Sequence, residues 1–347
     1  MSDSRDMELS STAFKRMNKL KFLEFYSPYG HQQELHAARK ICNISLSKGL
    51  SFLPDELRYL YWDKYPLTSL PLNFCPDNLV QLHLIGSHVQ QLCNRDQVCF
   101  SFNHLIAIFF TNLNTKEYNY LNFECGRVFL TRHSPLQCLE NLKVLDLSDS
   151  VELIKIPDLS ELSKLEVLRL RHCTSLVEIY SSIPYDSNLS HMDLGNCKNL
   201  LKISSTFKLK RLNFLSLEGC SGITEFPKVT QGIRHLILNG TSIEQVPSSI
   251  GRHTSLTLLS LEGCTRLESL PCSIGELKCL EHLNLRGCSE LASLPNNICK
   301  LKCLNRLDMN KCSKLMNLPD GIVNLTSLEV LVISMCQLLN GLPENIK

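Results

Sequence analysis

The sequence predicts an α/β repeat solenoid, a horseshoe with a parallel β-sheet on its concave side and an irregular or 3-10 convex side. Three observations carry that reading. The phrase L-x-x-L-x-L-x-x-C recurs, with small variations, nine times between Leu142 and Ile346. Its copies begin at Leu142, Leu165, Leu189, Leu212, Ile233, Leu256, Leu280, Leu304 and Leu328. The period of 21 to 24 residues is too short for one unit to fold alone and suits units that stack. Most copies end on an apolar residue followed by Pro, as in Phe226-Pro227, Val246-Pro247, Leu270-Pro271, Leu294-Pro295, Leu318-Pro319 and Leu342-Pro343, which disfavours regular helix there.

Taken in order, residues 1–97 hold the irregular start of the repeats. Leu20-x-x-Leu23-x-Phe25, Leu57-x-x-Leu60-x-Trp62 and Leu79-x-x-Leu82-x-Leu84 each supply a strand. Residues 98–137 break the rhythm, because 63 residues separate Leu79 from Leu142. This stretch has eight Phe or Tyr in 40 residues, against 15 in the other 307, and removing it restores a spacing of 23. Val98 is encoded by GTN and Gln137 can be CAG, the two ends of a spliced intron, so the segment reads as an insertion of translated-intron type. The other reading is a genuine loop with one degenerate unit at Leu105-x-x-Ile108-x-Phe110. Residues 138–347 are the regular repeats. They are expected to lack a C-terminal cap, leaving Leu328, Leu331 and Ile333 poorly covered and the last repeat the least stable.

Side chains alternate along a strand, so Leu283 and Leu285 face the core while Asn284 faces out. Seven of the 17 cysteines (Cys173, Cys197, Cys220, Cys264, Cys288, Cys312 and Cys336) follow the strand. There a small thiol fits beneath the turn, and the spacing resembles no C-x-x-C metal pair. An odd total of buried thiols points to a reducing compartment. With a net charge of +2 and 44% hydrophobic residues, the chain carries no nucleic-acid footprint. Its longest fully apolar run, from Leu105 to Phe110, is far too short to span a membrane, and no export signal is visible.

Two strings narrow the family. Ala13-Phe14-Lys15-Arg16-Met17 before Leu20, and Leu53-Pro54-x-Glu56-Leu57-Arg58-Tyr59-Leu60-x-Trp62-x-x-Tyr65-Pro66-Leu67, resemble the opening of the leucine-rich-repeat region in plant TIR-NB-LRR disease-resistance proteins. Leu145-Asp146-Leu147-Ser148-x-Ser150, Ile156-Pro157-Asp158-Leu159-Ser160 and the later Leu-x-Gly-Cys repeats look like the same family. The resemblance implies a ligand-sensing and autoregulatory part of an intracellular immune receptor, cytoplasmic or nuclear. Its implied partners are a pathogen effector or guarded host protein and a nucleotide-binding switch domain. No G-x-x-x-x-G-K-[ST] loop is present, so the chain reads as a fragment or truncated member with no enzymatic activity and no cofactor.

If the chain binds a protein, the outward positions of the concave strands are the place, because they have no core duty. Phe214, Ile237 and Leu258 fall in consecutive repeats and form an apolar patch flanked by Arg169, Arg171, His191 and His235, with Arg306 further along. Aromatic and Arg anchors are what protein interfaces favour. The plainer reading is that Phe214 and Leu258 cover each other and the charges pair across strands. Two other classes stay open. An extracellular receptor ectodomain is suggested by sequons at Asn43, Asn188, Asn239 and Asn324, though Asn188 and Asn239 are poor places for a glycan. The third class is a non-catalytic scaffold or decoy.

Overall fold

The computed structural model describes residues 7–26, 44–71, 74, 76–89, 139, 141–156, 159, 162–179, 183, 187–203 and 209–341. Each L-x-x-L-x-L phrase becomes a strand of three or four residues, because its two central leucines point into one core while the residues between them face out. Twelve such strands form one parallel sheet in chain order: Phe22–Phe25, Tyr59–Trp62, Gln81–His83, Val144–Asp146, Val167–Arg169, His191–Asp193, Phe214–Ser216, His235–Ile237, Leu258–Ser260, His282–Asn284, Arg306–Asp308 and Val330–Val332. The register is unbroken: Leu60 pairs with Leu82, Leu82 with Leu145, and Leu259 with Leu283, with Met192 taking the leucine's place between Leu168 and Leu215.

The irregular N-terminal repeats thus belong to the same sheet as the regular ones. Trp62 and Tyr65 are fully buried and meet edge to face, with Phe14 also edge-on to Trp62. The Trp-x-x-Tyr-Pro string is therefore core for the first turns. Tyr65 keeps its hydroxyl satisfied by donating to the Ser69 carbonyl at 3.1 Å.

Residues 98–137 lie outside the described residues. The sheet passes directly from Gln81–His83 to Val144–Asp146, with Leu84 N–H donating to Asp146 O and Gly86 N–H to Ser148 O, both at 2.8 Å.

After each strand from Tyr59–Trp62 onward the chain turns through a left-handed residue. Gly86, Gly219, Gly240, Gly263 and Gly287 fill that slot at φ of 61° to 70°, and Lys64, Asp149, His172, Asn196, Lys311 and Met335 take the same conformation in the other repeats. That requirement explains the Gly of Leu-x-Gly-Cys, since only glycine adopts this conformation without cost. On the convex side, four 3-10 helices, Ser248–Arg252, Cys272–Glu276, Asn296–Lys300 and Asp320–Asn324, each follow a proline and bury one isoleucine: Ile250, Ile274, Ile298 or Ile322. Each proline holds the extended N-cap from which the short helix starts, and the helix ends where His253, Leu277, Leu301 or Leu325 leaves helical geometry. No α-helix occurs among the described residues. Glu178–Ile179 and Lys202–Ile203 form a small parallel ladder instead in two earlier repeats. In the last repeat Leu328, Leu331, Ile333, Cys336 and Leu339 are partly buried, and Leu342 and Ile346 fall outside the described residues.

Candidate functional site

Most polar side chains on the concave sheet are committed to the fold. At the third strand position Asp146, Asp193, Asn284 and Asp308 each accept from the backbone N–H two residues on, at 3.0–3.1 Å, and so hold the turn. Asn239 does this across repeats, accepting from Ser260 Oγ at 2.6 Å and from Glu262 N–H at 3.0 Å. Glu262 in turn accepts from Asn284, and Arg286 Nε stands 3.7 Å from Glu262.

Of the sequence-predicted residues, Arg171 is the most tightly bound. Its guanidinium donates to both carboxylate oxygens of Asp193, at 3.1 and 3.2 Å, and reaches a second repeat further to Glu218 at 3.0 Å. It can do so because Gly195 lies beneath it, where any Cβ would come within 2.8 Å of Nη1. Burial works against the charge, but the bonds to Glu218 and Asp193 raise the guanidinium's pKa further. Arg169 is held more loosely, 3.9 Å from Asp146, with its side chain 39% exposed. Arg306 pairs only with its neighbour Asp308 at 3.3 Å.

Three rings form the centre of the patch. His191 and His235 are the cross-strand partners of Phe214 on either side. The His191 ring lies flat on Phe214, with centroids 4.0 Å apart and planes 8° apart, while His235 meets it edge-on at 6.1 Å. Partial burial, then the nearby Arg169 charge, depress the His191 pKa, so at neutral pH this imidazole is uncharged and stacks as an aromatic ring. Leu258 pairs with His235 and not with Phe214, and Ile237 sits at the third strand position between Ser216 and Ser260. His191, Phe214, His235 and Leu258 thus stand in a row across four adjacent strands, with Ile237 on the His235 strand, and His235 separates Phe214 from Leu258. Arg306 stands three strands from Phe214's neighbour His235 and is not part of this cluster.

The first three strands carry concave residues outside that list. Phe22, Tyr59, Tyr61 and His83 face the same side and were readable by the same alternation applied to the three irregular copies. His83 Nδ1 lies 3.5 Å from Asp146. Among the described residues no group of three or more His, Cys, Asp or Glu is placed to hold a metal ion, and no helix is long and apolar enough to cross a membrane.

A solenoid of this period and register, with a parallel concave sheet and a turn-filling Cys in most repeats, defines a leucine-rich-repeat protein. The family model described as leucine-rich repeat region matches residues 255–340. The sequence is similar to plant disease-resistance proteins, as the motifs of the first repeats imply. It is 33% identical to disease resistance protein RPP2A of Arabidopsis thaliana over 76% of this chain and 17% of that protein. It is 35% identical to disease resistance-like protein DSC1 of the same plant over 76% of this chain and 18% of that protein. The chain thus spans less than a fifth of the length of these relatives. Among solved structures, a chain of the Toll–Spatzle complex of Drosophila superposes over 93% of this chain and 40% of its own, with a TM-score of 0.55 at 15% identity, which speaks for the fold alone.

Proposed function

We propose that this chain is the recognition part of an intracellular plant immune receptor, non-catalytic, and that it binds a pathogen effector or guarded host protein on its concave face at Phe214 and the histidines around it. The observation that carries this reading is the contrast within the sheet. Charges there are mostly engaged with one another, while Phe214 stacks on the uncharged His191 ring and meets His235 edge-on, with Arg169 at the edge of the cluster. An aromatic cluster beside a loosely held Arg is the composition that carries binding energy in protein interfaces. The relatives are disease-resistance proteins, which favours an immune role and, in a full-length receptor, a second contact to a nucleotide-binding switch domain. A cytoplasmic location fits the free cysteines, 11 of which are among the described residues. The extracellular reading is disfavoured because Asn188 uses both amide atoms, donating to Ser163 O and accepting from Arg211, and Asn239 serves as an inter-repeat clamp.

The test is quantitative mass spectrometry of proteins co-purifying from infected plant tissue with the chain and with its Arg169→Ala/Phe214→Ala form. A partner retained by the native chain should drop at least about tenfold with the double variant, at unchanged melting temperature. Undiminished recovery of every partner would remove the concave patch as the binding site.

A further inference from the structure

Five rings meet on the concave side of the sheet's first strands. Centroid to centroid, Phe22 lies 6.4 Å from Tyr59, Tyr59 lies 5.6 Å from His83, His83 lies 5.8 Å from Tyr61, and Tyr61 lies 4.7 Å from Tyr26. Their strands already have a core through Leu23, Leu60 and Leu82, so these rings are not needed to close it. Phe22 is 64% exposed.

Carboxylates frame the rings. Glu24 is exposed on the same strand as Phe22 and accepts from Tyr26 Oη at 3.1 Å. Asp146 lies beneath His83, buried and 3.9 Å from Arg169, and supports the His83 ring from within the sheet. Burial opposes its charge, yet hydrogen bonds from His83 and Ser148 hold its carboxyl below the ordinary value, so it stays anionic. Burial raises the Tyr61 phenol, and Asp63 and Asp146 add to the effect, so that hydroxyl stays neutral. The outward positions of these three strands carry no Lys or Arg. Lys21 and Arg58 stand one residue before their strands, on the flank.

We infer that this patch binds a basic, arginine-bearing segment of a partner protein. Ring faces beside the exposed Glu24 carboxylate complement a guanidinium, which is planar, weakly hydrated and able to stack on a ring while donating to a carboxylate. A lysine ammonium is compact and strongly hydrated and uses such a surface less well. An acidic segment is repelled by the exposed Glu24. The surface is distinct from the Phe214 patch: five strand spacings separate Tyr59 from Phe214, about 24 Å.

The experiment titrates the whole chain, in reducing buffer, with labelled peptides of alternating Arg and Gly, Lys and Gly, and Glu and Gly, read by fluorescence anisotropy. The arginine peptide should bind tightest. Phe22→Ala and Tyr61→Ala should each weaken it roughly two- to fivefold, and Tyr61→Phe should keep the affinity. Glu24→Gln should weaken it and flatten its salt dependence, while Phe214→Ala should leave it unchanged. Equal affinity for the arginine and lysine peptides, or no loss on Phe22→Ala, would reduce the attraction to charge alone and overturn the proposal, as would preference for the glutamate peptide. Phe22 is exposed enough that its replacement does not threaten the fold, so the test survives if Tyr61→Ala unfolds.

Discussion

Every strand-end thiol donates its S–H to a carbonyl of the preceding repeat: Cys173 to Leu147 at 3.2 Å, Cys197 to Leu170 and Cys220 to Leu194 at 3.0 Å, and so on through Cys336 to Met309. Thr241 fills the same slot with an alcohol, and Ser87 and Ser150 begin the ladder with a 2.8 Å hydrogen bond to each other. Burial pushes the Cys173, Cys220 and Cys312 thiols up to about 12, and raises Cys197 and Cys288 further. These thiols are structural and unreactive in the native state. Above about pH 9 the unfolded chain loses these protons while the folded chain keeps them, so stability is fully present below that pH and falls as pH rises. Denaturant melts from pH 7 to 10.5 should show this fall. Cys197→Thr or Cys288→Thr should flatten it by about 1.4 kcal/mol per pH unit for each thiol removed. An unchanged slope would mean the ladder thiols do not set it.

Between elements, the concave charges act as clips that tie one repeat to the next, and Arg171 spans three. Its side chain is 34% exposed and Glu218 is 43% exposed, so screening keeps the Arg171–Glu218 link small. A double-mutant cycle with Arg171→Ala and Glu218→Ala should give a coupling of about 0.5–1 kcal/mol that shrinks in high salt. A zero coupling would make the pair incidental. This clip also marks what the sequence could and could not disclose. Strand positions, core leucines and the Cys slot follow from the repeated phrase, because each letter of it has one geometric duty. The placement of Phe214 between His191 and His235 follows from counting residues along adjacent strands. The reach of Arg171 does not, because it depends on the missing Cβ of Gly195 in the next repeat and on a side chain crossing two strand spacings. The aromatic patch at Phe22 and Tyr61 is legible by the same alternation, but only once the three irregular N-terminal copies are aligned with the regular ones.

At the scale of the whole molecule, the continuity of the solenoid across residues 90–138 is the feature with the widest consequence. Leu82 pairs with Leu145, Ser87 bonds Ser150, and His88 Nδ1 reaches Glu152 at 3.0 Å, so the repeats on either side are true neighbours. Val89 and Leu139 are both buried, in the positions held in later repeats by Leu267 and Leu277, which nine residues separate. Between Val89 and Leu139 there are 49 residues, and 49 minus the 40 of segment 98–137 leaves nine. A chain without that segment has a connection of regular length, and we propose a translated-intron origin for the segment. Shortening the connection lowers its closure entropy by about 1–2 kcal/mol if nothing in the segment packs. We expect the chain deleted of 98–137 to keep its far-ultraviolet circular dichroism per repeat and to melt at the same or a higher temperature. Transcripts lacking these 40 codons should be found, with GT at the Val98 codon and CAG at Gln137. A deleted chain that melts several degrees lower, or a gene without those splice ends, would make the segment a genuine part of the repeat domain with packing of its own.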